Sequence, residues 1–220
     1  MLSDYIHRYL DPADSLGELL FGLIMTLTVT LGAGLLSQHS EIAAGELVAA
    51  MIGCNIAWGI IDAVLYLIGS VFSRNQRVHF IRRLRAAASE ADAIEAIREE
   101  FGLEGEPLIR EADHAAFHRV ILDMMRRAST ERAHLRRQDF QAAVAIVLLV
   151  SLSAVPGALP FLVLQDSRLA LRLANVIQIG LLFLVGFQWA RHSGGSPWRI
   201  GVTIVGLGIV LVLVSVLLGG

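Results

Sequence analysis

Five apolar stretches dominate this 220-residue chain, and each is long enough to form a membrane helix. A helix rises about 1.5 Å per residue, so about 20 apolar residues cross the roughly 30 Å of hydrocarbon in a bilayer. Hydrophobic residues make up 55% of the chain, which is more than a soluble domain of this length usually carries. We therefore expect an integral membrane protein with transmembrane helices at residues 16–36, 46–72, 140–158, 169–190 and 200–218.

The segment between the second and third stretches, residues 73–139, has a different composition. It contains 13 Arg, 12 Asp or Glu and four His, and it has no apolar run that could cross a bilayer. Apolar residues at helical spacing, such as Ile94, Ile97 and Phe101, indicate short amphipathic helices. The sequence thus predicts an all-α protein in four parts: a cytoplasmic N-terminal segment (1–15), helices one and two (16–72), a cytoplasmic helical metal-binding domain (73–139) and helices three to five (140–220).

The arginines predict the orientation, because basic residues near membrane helices stay on the cytoplasmic side. Of the 18 basic residues, 16 lie in the segment 73–139 or at Arg8, Arg191 and Arg199. All 16 lie on the cytoplasmic side if the N-terminus is cytoplasmic. The C-terminus is then external. No cleavage site precedes the first stretch, so we expect that stretch to be retained. The compact loops and the lack of a targeting segment favour a prokaryotic plasma membrane.

Several classes of function receive no support from the sequence. The net charge of −2 gives no indication of nucleic-acid binding, and a single cysteine, Cys54, cannot form an internal disulfide. No phosphate-binding loop, Gly-rich dinucleotide motif or nucleophile elbow is present. We expect neither catalysis nor a tightly bound cofactor.

Polar residues inside the apolar stretches are the first candidates for function. An ionisable side chain at the centre of a membrane helix costs at least roughly 2.5–3.5 kcal/mol, so its presence needs an explanation. Such groups either carry ions and protons or form hydrogen bonds between helices. Asn175 and Gln178, in the fourth stretch, are interpreted as helix-packing residues. The residues predicted to line a transport path in the first two stretches are Glu18, Met25, Asn55 and Asp62.

The segment 73–139 contains possible metal ligands at helical spacing. Carboxylates three and four residues apart share one helical face and repel one another unless a cation binds there. Glu-x-x-His is a ligand pair used by di-iron proteins. Nearby arginines, Arg98 and Arg110, favour the alternative of a solvated, salt-bridged surface. The predicted metal ligands are Asp92, Glu95 and Glu99, then Glu111, His114 and His118, and more weakly Asp123 with Met124 and Met125.

In the order of its parts the chain resembles the vacuolar iron transporter family, whose members have five spans and a cytoplasmic helical metal-binding domain between the second and third. The segments that carry the resemblance are GELLFGLIMTLTVTLGAG (17–34) and GCNIAWGIIDAVLYLIGS (53–70). The family has an Asp-Gly pair in its first span, where this sequence has Met25 and Thr26. It has a Gly-Glu-Tyr-like step in its second span, from which Asp62 is offset.

The resemblance implies export of Fe²⁺ or Mn²⁺ from the cytosol in exchange for protons. The oxygen and imidazole ligands of the segment 73–139 would also suit Zn²⁺. It implies a homodimer whose path lies between the first spans of the two subunits. It also implies that the inserted domain gathers metal on Glu and Met side chains, for which Glu95, Glu99, Met124 and Met125 are the counterparts here.

Two other functions stay open at this point. The chain could be a non-transporting membrane scaffold or metal sensor whose cytoplasmic helices bind a protein partner through Ile94, Ile97 and Phe101, although such positions are more often internal core. It could also be a ferroxidase-like protein that uses Glu111 and His114. The ferroxidase would need a second Glu-x-x-His pair, or its equivalent, from a partner subunit.

Overall fold

The computed structural model of the protein describes residues 6, 8–36, 43–101, 111–128 and 130–217. Within these residues the chain forms eight helices and no strand. The helices are α1 (Pro12–Leu36), α2 (Ala44–Arg85), α3 (Glu90–Phe101), α4 (Glu111–Arg127), α5 (Arg137–Ser153), α6 (Val155–Val163), α7 (Ser167–Ser193) and α8 (Pro197–Leu217).

Five helical segments are long and apolar enough to cross a membrane, which confirms the predicted all-α, five-span fold. They are Pro12–Gly34, Ala44–Arg85, Arg137–Val163, Ser167–Ser193 and Pro197–Val214. Most of the large apolar side chains of α8 are exposed, among them Val202, Val210 and Leu217. An apolar exposed surface of this kind suits a helix surrounded by hydrocarbon.

Local sequence explains where several helices begin and end. Asp11 accepts a hydrogen bond from the backbone N–H of Ala13 at 2.8 Å, and Pro12 occupies the first helical position of α1, where a missing N–H costs nothing. Asp166 caps α7 by accepting from Arg168 and Leu169. That helix ends at Gly194, whose φ of 72° is the left-handed conformation that glycine adopts most readily.

The third span is interrupted, which the sequence did not predict. The predicted third stretch ends at residue 158, but the span continues to Val163 as a second helix, α6. Pro156 has no backbone N–H and cannot continue the bonding of α5, so it lies in the first turn of α6 instead. The break at Ala154 therefore lies within the membrane segment.

The chain forms two compact units, residues 1–67 with 136–220, and residues 68–135. In the first unit, glycines allow close helix packing, as is common in membranes. A Cβ at Gly59 of α2 would lie 3.2 Å from the Cα of Val147 on α5, and one at Gly186 of α7 would lie 3.0 Å from the Cα of Gly201 on α8. The third span is the most buried of the five.

The second unit has a small core of its own. Phe80 and Leu84 from α2 pack with the apolar faces of α3 and α4, which include Ala93, Ile97 and Leu122. Ile97 is fully buried there. Ser89 begins α3 by accepting from the backbone N–H of Asp92 at 3.1 Å, as their spacing predicts.

The close approach of α1 and α5 generates a stability prediction. A Cβ at Gly22 would overlap the Ser153 hydroxyl and lie 3.0 Å from the Val150 carbonyl oxygen. Overpacking of this kind typically costs roughly 1–3 kcal/mol, so we expect Gly22→Ala to lower the melting temperature of the detergent-solubilised protein.

Gly53→Ala in α2 is the matched control for this prediction. A Cβ there would meet nothing within 4 Å, and alanine favours a helix over glycine by about 1 kcal/mol. We expect this variant to be neutral or more stable than the wild type. Equal melting temperatures for the two variants would contradict the packing described for Gly22.

Candidate functional site

The fold places the two carboxylates predicted on separate spans within range of an electrostatic interaction. Glu18 of α1 interacts electrostatically with Asp62 of α2, and also with Asp14 near the start of α1. Glu18 and Asp62 are partly buried. One oxygen of each, Oε2 of Glu18 and Oδ2 of Asp62, is buried and accepts no hydrogen bond from any residue that the structure describes. Two neighbouring negative charges repel one another in such surroundings, so the pair favours a bound cation or protons.

Asn55 lies deeper in the same bundle and connects three spans. The side chain is fully buried on α2. Its Nδ2 group lies 3.0 Å from the carbonyl oxygen of Gly22 on α1 and 3.0 Å from that of Val150 on α5, and it donates to both. Its Oδ1 atom has no partner in the described part of the chain.

Two hydroxyl groups complete the surroundings of this amide. Thr26 donates to the Gly22 carbonyl at 2.9 Å, and Ser153 donates to the Val150 carbonyl at 2.7 Å. Their hydroxyl oxygens lie 3.3 Å and 3.1 Å from Nδ2 of Asn55. Each carbonyl is therefore shared between an amide and a hydroxyl group, as expected where water does not supply the partners.

Gln178 adds a second amide from α7. It is fully buried, and neither of its amide atoms has a hydrogen-bond partner among the described residues. A Cβ at Gly157 would overlap Nε2 of Gln178 and lie 2.7 Å from the methyl carbon of Thr26, so the amide lies beside both residues. The sequence interpretation of Gln178 as a packing residue missed this location, because helical spacing within one span does not show which other spans it meets.

This group of neutral polar side chains lies where the third span is interrupted. Val150 and Ser153 belong to the last turn of α5, and Gly157 belongs to the first turn of α6. The carbonyl end of a helix carries partial negative charge. Transport proteins commonly bind ions where interrupted membrane helices expose such ends near the middle of the bilayer. We call Thr26, Asn55, Ser153 and Gln178 the neutral cluster.

The carboxylate pair and the neutral cluster follow the same faces of α1 and α2. Eight residues separate Glu18 from Thr26, or about 12 Å along a helix, and seven separate Asp62 from Asn55, or about 10 Å. Both separations are close to two helical turns, which returns to the same face. Met25, the remaining predicted path residue, is partly buried on α1 beside Thr26.

The first group of predicted metal ligands lies on the exposed surface of α3. Glu95 pairs with Arg98 at 2.9 Å, and Glu99 pairs with Arg83 at 2.8 Å. Asp92 accepts from the Ser89 hydroxyl at 2.8 Å. In the described ranges, no group of three or more His, Cys, Asp or Glu side chains is arranged to hold a metal ion. Metal binding here stays a prediction.

The second group is on α4, and part of it lies outside the described residues. The helix includes Glu111 and His114, but the positions of their side chains are not among those described. His118 is 2% exposed and lies edge-on to Phe117, with ring centroids 6.0 Å apart.

The weaker candidates near the end of α4 are separated from one another. Asp123 pairs with Arg127 at 2.6 Å. Met124 is exposed, whereas Met125 packs against the core of the second unit. The part these residues play in metal binding also stays a prediction.

Comparison with known families identifies the chain. A sequence model described as the VIT family matches residues 19–220, which include all five spans except the first turns of the first span. The chain belongs to the VIT family. A search of curated proteins finds no match. Membership confirms the resemblance found in the sequence and indicates an integral membrane protein that transports metal ions. VIT-family transporters are generally not enzymes.

The neutral cluster of this VIT-family protein generates a second prediction. We expect Asn55→Leu to lower the free energy of unfolding by about 1–2 kcal/mol, because it removes hydrogen bonds to α1 and α5 inside the membrane segment. The measurement is the thermal unfolding midpoint in detergent.

The control is Asn175→Leu in α7. Oδ1 of Asn175 is buried and has no partner among the described residues. Replacing an unpaired buried amide with an apolar group is neutral or stabilising. If both substitutions lowered the midpoint equally, Asn55 would not be the connection between spans that its bonds indicate.

Proposed function

We propose that this VIT-family protein exports a divalent transition metal ion, Fe²⁺ or Mn²⁺, from the cytosol in exchange for protons. The observation that carries the proposal is the electrostatic interaction of Glu18 with Asp62, two carboxylates from different spans, each with a buried oxygen that has no partner among the described residues. Family membership supports metal transport in general. The choice of ion and the coupling to protons are what the family resemblance implies, and the chemistry of the pair is compatible with both.

The carboxylate pair suits exchange because either a metal ion or protons can neutralise its two negative charges. One divalent cation neutralises two carboxylates, and so do two protons. Oxygen ligands suit Mn²⁺ and also accept Fe²⁺. The electrostatic cost of keeping two acids in an apolar span is therefore offset in either loaded state, and the unloaded pair is the costly one.

The neutral cluster extends the proposed route beyond the pair. Its amide and hydroxyl groups can contact an ion that has left the carboxylates, and without charge they hold it only weakly. Weak binding favours passage over retention. All the groups on this route belong to one chain, so the route does not require the path between subunits that the resemblance implies. The homodimer remains a prediction.

The second unit is proposed to face the cytosol and to collect ions. The arginine distribution supports this orientation, with an external C-terminus in a prokaryotic plasma membrane. The ion pairs of Glu95 and Glu99 are largely exposed, and exposed pairs contribute only about 0–1 kcal/mol. A divalent cation can therefore compete with the arginines for these carboxylates. Glu111 is proposed to contribute to the same collection.

Transport in reconstituted vesicles tests the route. We expect Asp62→Asn and Glu18→Gln each to reduce Mn²⁺ or Fe²⁺ flux driven by a proton gradient by about tenfold or more, because each removes a charged ligand from the pair. Flux is measured with a metal-quenched dye inside the vesicles, together with a dye that reports internal pH.

Glu46→Gln is the matched control for these substitutions. Glu46 is an exposed carboxylate in the first turn of α2, so it lies on the same span as Asp62. We expect near wild-type flux from this variant. Wild-type flux in Asp62→Asn would eliminate the proposed route, and metal flux without proton movement would eliminate the exchange.

Metal binding by the second unit is tested separately with the whole protein. We expect the triple substitution Asp92→Asn, Glu95→Gln and Glu99→Gln to lower the Mn²⁺ bound at equilibrium, measured by dialysis and elemental analysis. The control is Glu90→Gln, Glu100→Gln and Glu131→Gln, which removes as much charge from the same unit. If both triple variants lost the same amount of bound Mn²⁺, the loss would be due to net charge and not to a site on α3. A wild-type protein that binds no Fe²⁺ or Mn²⁺ would favour the scaffold alternative.

A further inference from the structure

Side chains on the last turns of α2 hold the segment 126–134 through its backbone. Three arginines donate to carbonyl oxygens, and Asn75 accepts from a backbone N–H. The bonds are Arg74 to His134 (3.0 Å), Arg82 to Thr130 (2.8 Å), Arg85 to Arg126 (2.8 Å) and to Ala128, and Ala133 to Asn75 (3.1 Å). These bonds attach the described residues of the segment 126–134, which exclude residue 129, to α2.

Bonds of this kind leave the charge of an arginine in place. A carbonyl oxygen carries only partial charge, whereas the carboxylate of Glu99 neutralises Arg83. Arg82 uses one guanidinium N–H on Thr130, and a guanidinium group has five. Arg132 makes no ion pair with any described residue and is exposed. Arg82 on α2 and Arg132 in the segment 126–134 thus bring two guanidinium groups to the same place.

A surface cavity of about 350 Å³ lies at this position. This volume is at the lower end of the range typical of pockets for small ligands. The lining residues are Asn75, Val78, His79, Arg82 and Arg132. Of the described residues that line it, none is acidic. Because Oδ1 of Asn75 accepts from Ala133, its Nδ2 group remains a donor. The cavity thus presents hydrogen-bond donors and positive charge.

We propose that this cavity binds a phosphate group, carried either by an anionic lipid headgroup or by a free phosphate compound. Two guanidinium groups match the geometry of phosphate oxygens, and each can donate two parallel hydrogen bonds. The inference is independent of metal transport, because it uses no residue of the carboxylate pair or of the neutral cluster.

The chain positions of the lining residues favour a lipid as the source. Asn75 follows the end of the second predicted apolar stretch by three residues, and Arg132 precedes the first residue of the third span, Arg137, by five. Both are thus adjacent in sequence to membrane segments. Basic pockets at the cytoplasmic ends of membrane helices bind anionic headgroups in this way.

A bound phosphate would act on both sides of the cavity at once. Val78, His79 and Arg82 belong to α2, whereas Arg132 belongs to the segment held by it. An anion between them offsets repulsion between Arg82 and Arg132 and links the two by further hydrogen bonds. We therefore expect phosphate binding to stabilise the contact between α2 and the segment 126–134.

Native mass spectrometry of the full-length protein in detergent tests this proposal. The protein is offered phosphatidylglycerol and phosphatidylcholine at equal concentration, and we expect the anionic lipid to be retained preferentially. Arg132→Gln should reduce the phosphatidylglycerol-bound fraction about tenfold, because it removes a charged donor from the cavity. If this variant does not fold, His79→Gln tests the same lining with a residue that makes none of the bonds to the segment 126–134.

Arg77→Gln is the matched control. Arg77 is an exposed arginine of α2 that lies between Asn75 and Val78 in the chain, but it does not line the cavity. We expect its lipid retention to stay within about twofold of the wild type, since the charge lost there contributes only through a screened surface field. If Arg77→Gln lost as much phosphatidylglycerol as Arg132→Gln, the lipid would bind to a diffuse basic surface and the proposed cavity site would be wrong.

Inorganic phosphate distinguishes the two sources. If sodium phosphate displaces phosphatidylglycerol and raises the melting temperature of the wild type but not of Arg132→Gln, the cavity takes free phosphate compounds. If only phosphatidylglycerol binds, the ligand is a lipid headgroup. Equal retention of the two lipids, together with no effect of phosphate on the melting temperature, would overturn the proposal.

Discussion

The hydrogen bonds of Asn55 are the contact on which the membrane bundle depends. Inside hydrocarbon there is no water to satisfy an amide, so its two N–H groups must find acceptors on other helices. They find the carbonyl oxygens of Gly22 on α1 and Val150 on α5. The approach is close enough only because residue 22 has no side chain. One amide thereby positions the first three spans and determines what else can lie between them.

The candidate route follows from this arrangement. α1 and α2 are linked by the hydrogen bond of Asn55 to Gly22, and Glu18 and Asp62, about two turns away on their helices, interact electrostatically. The interruption after Ser153 adds the end of α5 to the same region, and α7 contributes Gln178. Several polar groups that are costly in a membrane thus lie within one bundle, as the proposed route requires.

The arginines of the second unit perform two different tasks. Those facing α3, such as Arg83, are paired with carboxylates, whereas those facing the segment 126–134, such as Arg74 and Arg82, donate to backbone carbonyls. The sequence alone cannot distinguish these two groups of arginines, because each arginine adds the same charge whatever its partner. Their partners differ, and Arg82, which donates to a carbonyl oxygen and lines the cavity, keeps positive charge that an anion can use.

The sequence by itself determined the five spans, the charged segment between the second and third, the caps at Asp11 and Ser89, and the resemblance to the family to which the chain belongs. These features depend on length, apolar runs and local spacing, which are readable along one chain. Only the tertiary structure decided that Glu18 interacts electrostatically with Asp62, that the third span is interrupted at Ala154, and that Gln178 lies beside Gly157 and Thr26. Such contacts depend on how helices distant in sequence are rotated against one another, and helical spacing within a single span does not specify that rotation.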